Sequence, residues 1–260
     1  MSEKSGLGDR MKGYEKISQI YLTRRTPVII RVDGKAFHSF TRGMNKPFDE
    51  ILIKSMWETA KYLCANLQGC KLAYVQSDEI SILLTDYATL NTDALFDNNV
   101  QKIVSVSASM TTLAFNEVFR SLPFVWTDDY TEPAYMKLLN LYKSRYGKAL
   151  FDSRVFVLPK EEVCNYFVWR QQDCTRNSIQ MVAQANFSHR QLQGKDCNEL
   201  QEILFQEKGI NFNDLSVPKK RGVTVYKESY MKGEVQRSRW NIDEDIPIFT
   251  KDREYIEKLI

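Results

Sequence analysis

The sequence predicts an α/β fold in which an antiparallel, ferredoxin-like sheet carries helices and is followed by a helical C-terminal part. Three observations lead there. Short β-branched and apolar runs alternate with longer helical periodicities in the order strand, helix, hairpin, helix, strand. Two of the runs, Lys71 to Gln76 and Glu79 to Thr85, are joined only by Ser77-Asp78, which marks a hairpin. The second half then changes character, with helical stretches punctuated by Gly194 and Gly209.

In order along the chain, residues 1 to 26 are polar and charged, with Met11, Tyr14, Ile17, Ile20 and Tyr21 at helical spacing. This predicts an amphipathic helix packed on the domain edge. Pro27 ends it, and Val28 to Val32 is the first strand. Asp33-Gly34 leads into a short helix or turn over Lys35 to Phe40, whose backbone N–H groups would point back at the strand end as an anion site. Lys46-Pro47-Phe48-Asp49 starts the next helix, because Pro and acids suit a first turn. Its buried stripe is Phe48, Leu52, Met56, Ala60, Leu63 and Leu67, and Gly69 stops it. After the hairpin, a long helix over Asn98 to Phe119 carries Ser105, Ser107, Ala108 and Ser109, small enough for close approach to a sheet. Residues 120 to 150 show no clean period. Phe151 to Leu158 is a further strand, Lys160 to Arg170, Asn177 to Phe187 and Asp196 to Glu207 are helices, and Arg221 to Tyr226 is a late strand behind the basic run Lys219-Lys220-Arg221. Such a palm-type layer places its loops and carboxylates on one edge. We divide the chain at about residue 135, into a palm of residues 1–135 and a C-terminal domain of residues 136–260 that completes the sheet.

The 260 residues are 43% hydrophobic and 27% charged, the composition of an ordinary globular protein. Lys and Arg outnumber Asp and Glu by only 36 to 33, so charge alone does not select a nucleic-acid partner. Five cysteines without a Cys-x-x-Cys pair argue against a disulfide framework or a zinc site and fit a reducing compartment. No apolar run approaches membrane-spanning length and the first ten residues lack a signal-type apolar region, so a cytoplasmic protein without a membrane partner is expected.

The chemistry is carried by two strand ends, Val32-Asp33-Gly34 and Ser77-Asp78-Glu79. Hard oxygen donors without nearby His or Cys suit Mg²⁺, which shares its coordination sphere with substrate phosphates. Two such ions about 4 Å apart can activate an attacking oxygen and stabilise a leaving phosphate. Nucleotidyl transfer follows as the first hypothesis, although Asp-Gly and Ser-Asp are also ordinary turn sequences. A palm-type nucleotide cyclase would use the same carboxylates. A non-catalytic RNA-binding sheet would stack bases on exposed strand aromatics, which Val28 to Val32 lacks.

Six ordered segments narrow the choice: Arg31-Val-Asp33-Gly34-Lys35-x-Phe37-His38, Lys46-Pro47-x-Asp49, Gln76-Ser77-Asp78-Glu79, Phe151-Asp-x-Arg154, Trp169-Arg-Gln-x-Asp173-Cys174 and Glu202-Ile-Leu-Phe205. Together they resemble the signatures of the tRNA(His) guanylyltransferase superfamily from about residue 28 to residue 227. The resemblance implies a polymerase palm that works in the 3′-to-5′ direction. The 5′ end of a tRNA is activated by ATP or GTP, and the 3′-hydroxyl of an incoming nucleoside triphosphate attacks it. It further implies that Asp33 and Asp78 bind two Mg²⁺ ions with the Gly34 carbonyl, and that Glu79 is a support or secondary ligand. Residues Asp33, Gly34, Lys35, Ala36, Phe37 and His38, with Ser77 and Asp78, would cradle a triphosphate. Lys46 and Asp49 match positions at the activating nucleotide, and Lys102 matches a basic residue of the long helix. A homotetramer is also implied. Each has a plainer alternative: Asp49 as a helix-start acid, Lys102 as a solvated lysine, His38 as a surface ring, and Lys219 to Arg221 as a solvated face instead of a phosphate contact.

Two departures matter. After Cys174 the eukaryotic histidine-tRNA enzymes carry His-Ile-Asn-Asn-Leu-Tyr-Asn-Thr, whereas this chain has Thr175-Arg176-Asn177-Ser178-Ile179-Gln180-Met181-Val182. Asp97, Asn98 and Asn99 stand where the family has Lys and Arg. The pattern resembles the guanylyltransferase-like branch, whose implied work is template-dependent repair of 5′-truncated tRNAs. Addition of a single 5′ guanylate to tRNA(His) is the alternative.

Overall fold

The computed structural model describes residues 2–123 and 131–260. Its centre is a six-stranded sheet of β1 (Val28–Gly34), β2 (Cys70–Gln76), β3 (Glu79–Leu84), β4 (Phe151–Val157), β5 (Val223–Lys232) and β6 (Val235–Asp243). The order is β4-β1-β3-β2-β5-β6, and each neighbouring pair is antiparallel. The first four strands have the ferredoxin-like order expected from the sequence. Strands before and after residue 135 share this one sheet.

Both faces of the sheet are covered, so its central strands read as unbroken apolar runs. Val28, Ile30 and Val32 enter a core with α3 (Glu50–Asn66) and α4 (Val100–Ser121), while Ile29, Leu72, Tyr74 and Leu83 pack under α6 (Lys160–Asn186) on the opposite face. Between β1 and α3 lies the one-turn helix α2 (Phe37–Phe40), and α5 (Glu132–Arg145) follows α4. The rest of the helical part is α7 (His189–Leu192), α8 (Cys197–Lys208), α9 (Val217–Arg221) and α10 (Glu254–Glu257). Leu200, Leu204 and Phe212 form a smaller third core with the end of α6. Entry into β5 depends on Gly222: its φ is +78°, and a Cβ there would stand 2.4 Å from the Val75 carbonyl oxygen.

Several expectations are corrected. The N-terminal helix α1 (Ser2–Ile17) exists, but Met11, Tyr14 and Ile17 are exposed, so it does not pack on the domain edge. Only the segment behind it is tied down, by Val100 N–H donating to the Ile20 carbonyl and Leu22 N–H to that of Asn98. The helices expected over 160–170 and 177–187 are one helix of 27 residues. Residues 171–176 continue it because Asp173 pairs with Arg170 one turn back and with Arg176 one turn on. The late strand is longer than expected and hairpins into β6, whose alternation is hidden because its outer half is exposed on both faces. On α4, Ser107 does approach the sheet, meeting the Ser153 hydroxyl at 2.7 Å, but Ser105 and Ser109 are exposed. The unperiodic stretch contains α5, and residues 124–130 of it lie outside the described residues. Among the described residues, no helix is long and apolar enough to cross a membrane.

Candidate active site

Antiparallel pairing of β1 with β3 brings the two predicted strand ends together. Asp33 stands opposite Glu79 across the ladder, and the Gly34 N–H donates to the Asp78 carbonyl at 3.1 Å. Asp78 follows Ser77, which takes a left-handed conformation (φ 47°) and hydrogen-bonds the carboxylate at 3.0 Å. Burial pushes the Asp78 carboxyl up to about 6, with the negative charges of Asp33 and Glu79 adding to it and the Ser77 hydrogen bond opposing. Half-buried Asp33 is also raised, first by burial and then by Glu79, against the opposing pull of Arg31 and Arg154. Two adjoining acids whose ionisation is opposed by burial and by each other's charge would be relieved by a bound cation. With the Gly34 carbonyl they form an all-oxygen donor set, which fits Mg²⁺ completed by phosphate oxygens. Among the described residues no three His, Cys, Asp or Glu side chains converge on a ready-made metal centre, so substrate would supply much of the coordination.

Glu79 is differently employed. Its two oxygens accept from Arg170 at 2.8 Å each, and Arg31 approaches at 2.7 Å. Gln76 and Ser81 donate to it at 3.2 Å. A carboxylate so occupied acts as a buried clamp between β3 and α6, which fits the supporting role better than that of a ligand. The Arg170 contribution comes from the long α6 and has no signal in the sequence beyond the Trp169-Arg-Gln-x-Asp173-Cys174 segment.

Beside Asp78 lies a cavity of about 350 Å³. Its walls bring together Phe37 and His38 from α2, Lys46 and Asp49 ahead of α3, Ser77 and Asp78 from the turn, and Asn177, Ser178 and Met181 from α6. The first turn of α2 leaves its leading amides without intrahelical acceptors. Those of Gly34 and Lys35 are already engaged, Lys35 with the Leu150 carbonyl at 2.8 Å. An anion cradle is thereby narrowed to Ala36, Phe37 and His38, with Ala36 in the left-handed conformation that turns the chain (φ 54°). Lys46 is exposed at the rim, whereas Lys35 is exposed but is not among the cavity residues.

Asp49 lines the cavity and is also the cap of α3: it is buried and accepts from the amides of Leu52 at 3.0 Å and Asn45 at 3.1 Å and from the Tyr142 hydroxyl. Lys102 is exposed on α4 and is not among the cavity residues. The basic run is engaged within the chain, and Lys219 also lines the cavity. Lys219 pairs with Glu50 at 2.8 Å, Lys220 donates to the Asn213 carbonyl at 2.6 Å and Arg221 to that of Ile246 at 3.2 Å. The departures before α4 have structural work: Asp97 pairs with Arg24, and Asn99 caps α4 by accepting from the Lys102 amide. The α6 residues of the cavity wall were missed by the sequence, since helical spacing does not show which face meets a strand end.

The family model for tRNAHis guanylyltransferase (Thg1) matches residues 8–159, and that for the Thg1 C terminal domain matches residues 161–256. The chain belongs to the tRNAHis guanylyltransferase family. A bacterial tRNA(His) guanylyltransferase (Thg1)-like protein solved in complex with ATP is 50% identical to it, with a TM-score of 0.84 over 98% of each chain. A structure of such a bacterial protein in complex with GTP gives 48% identity and a TM-score of 0.78, again over 98% of each. The tRNA(His) guanylyltransferase of Debaryomyces hansenii is 31% identical over 80% of this chain and 76% of its own length. The chain is therefore a nucleotidyltransferase of this family, built on the fold that its sequence motifs indicate.

Proposed function

We propose that the chain is a template-dependent 3′-to-5′ nucleotidyltransferase that adds nucleotides to the 5′ end of tRNA, as in 5′-end repair. The wall that α6 presents to the cavity carries this reading. At three wall positions where the histidine-tRNA enzymes carry Asn, this chain keeps Asn177 and has Ser178 and Met181 in place of the other two, and Thr175 replaces the His. Of the three polar side chains there, counting Gln184 one turn on, Ser178 donates its hydroxyl to the Lys219 carbonyl at 2.5 Å and Asn177 its amide to Asp173 at 3.3 Å, while Gln184 is exposed. The two wall positions that replace Asn of the histidine-tRNA enzymes, Ser178 and Met181, offer no carboxamide to a base, so the choice of nucleotide falls to pairing with a template strand.

In this mechanism Asp33, Asp78 and the Gly34 carbonyl would hold Mg²⁺, which would supply neutralisation of phosphate charge and acidification of the attacking hydroxyl. Ala36 to His38 and Ser77 orient the triphosphate, and Lys46 balances its charge from the rim. Glu79, fixed by Arg170 and Arg31, keeps β3 in place so that Asp78 meets Asp33. The structures of similar proteins with ATP and with GTP support the use of such nucleotides.

The test is nucleotide addition to full-length tRNA(His) compared with a tRNA lacking its first nucleotide, with each of the four templating bases in turn. The truncated tRNA is expected to be the better substrate and to receive the complementary nucleotide. Preference for full-length tRNA(His), or the same product opposite every base, would assign single-guanylate addition instead.

A further inference from the structure

The strand-end carboxylates open on the face of the sheet that α6 covers. Along β1, Ile29, Arg31 and Asp33 share this face, and their partners on the edge strand β4 are Phe156, Arg154 and Asp152. Above them, in the third turn of α6, stands Trp169, which is 52% exposed. Burial of an indole contributes strongly to stability, so an indole half in water beside a reactive centre calls for an explanation.

The ring is exposed but not loose. The Arg170 guanidinium lies 4.4 Å from its centroid, and Tyr166 meets it at 5.9 Å with the planes 63° apart. Both supports are themselves held. Arg170 grips Glu79, the ladder partner of Asp33, and Tyr166 shares a 2.8 Å hydrogen bond with Ser81 and packs on Phe156 at 5.7 Å. Trp169 is thus fixed to the same framework as the carboxylates. The approach to it is flanked by exposed Arg154, which reaches Asp152 at 3.0 Å and Asp33 at 3.9 Å, and by exposed Arg176, paired with Asp173.

We propose that the exposed face of Trp169 stacks on the terminal base at the RNA 5′ end, and so sets the 5′ phosphate over Asp33 and Asp78. This rests on the function proposed above. A 5′ phosphate at Asp33 carries its own base, which must leave the acidic edge and needs a surface held to the same framework. A pinned indole backed by a guanidinium provides it. Stacking tolerates every base because each presents a π-face, as suits an enzyme that works on whichever nucleotide a damaged end exposes. The flanking arginines match the charge of the RNA backbone. The base of a nucleoside triphosphate would take the cavity beside Asp78, whose lining does not include Trp169, which leaves Trp169 to the RNA.

The test is a binding cycle with the full chain, read by fluorescence anisotropy of a 3′-labelled tRNA lacking its first nucleotide, and of the same tRNA with an abasic 5′-terminal residue. Trp169→Ala should weaken binding of the first RNA roughly 5- to 150-fold, the range of one base–aromatic stack, and Trp169→Phe should restore most of it. The abasic RNA should bind the wild type as weakly as the intact RNA binds Trp169→Ala, with no further loss in the variant. An equal loss with both RNAs would make Trp169 structural. A raised KM for the nucleoside triphosphate with RNA affinity unchanged would give the ring to the incoming nucleotide, and a changed mass by light scattering would give it to a subunit contact; any of these overturns the proposal. Wild-type nucleotide addition is measured in parallel. Addition with Trp169→Ala unimpaired rejects the stacking alone, whereas an intact binding cycle without addition rejects the proposed function alone.

Discussion

Replacing Asp78 by Asn should abolish nucleotide addition while making the metal-free protein more stable. A carboxyl whose folded-state pKa lies above its unfolded value binds more protons folded than unfolded between the two values, so stability falls as pH rises through that window. For Asp78 the window runs from the ordinary 3.8 to about 6. At about 1.4 kcal/mol per pH unit, the folded protein above pH 6 carries about 3 kcal/mol of cost from this group. Asp78 keeps some access to water, so about 2–3 kcal/mol is the working expectation. In a chain of this size that corresponds to roughly 4–12 °C in Tm. Urea or thermal unfolding in EDTA at pH 8 should show Asp78→Asn more stable by this amount, and the advantage should shrink on acidification and vanish below about pH 4. Mg²⁺ should stabilise the wild type and not the variant, because only a ligand that binds the folded state shifts the equilibrium. A variant no more stable than the wild type at pH 8, or a gap that does not depend on pH, would refute the electrostatic account of the site.

Two further substitutions probe its frame. Arg170→Met leaves buried Glu79 with Arg31 alone among its cationic partners and should cost about 3 kcal/mol, the low end for breaking a buried pair. Adding Glu79→Gln should recover part of the loss in the same unfolding assay; costs that simply add would show that the two side chains do not interact. Asp49→Ala removes the cap of α3 and the acceptor of Tyr142, and should cost about 2 kcal/mol by urea unfolding; an unchanged midpoint would show that the carboxylate is not needed as a cap.

Much of the fold was legible because local signals agreed with the tertiary outcome. Val28 to Val32 and Leu72 to Val75 are apolar at every position save Arg31 because both sheet faces are covered, and the two-residue turn at Ser77-Asp78 made their hairpin neighbour certain in register. Such patterns fail where a helix is built by its own side-chain ladder, as at Arg170, Asp173 and Arg176, or where strands leave the core, as in the outer half of β5 and β6. Apolar period also misled at α1, since Met11, Tyr14 and Ile17 have the spacing of a buried stripe and, among the described residues, no surface beneath them.

The chain by itself determined the candidate reactive groups: Asp33, Gly34 and Asp78 each stand at the point where an apolar run ends, and that placement is local chemistry. Only the tertiary structure decided how these groups are tuned. Burial and the proximity of Asp33, Asp78 and Glu79 depend on strands 45 residues apart coming into register, and the diversion of Glu79 into a clamp depends on Arg170, a further 91 residues along. Distance in sequence carries no information about field or solvation, whereas a carboxylate's chemistry is set almost wholly by both.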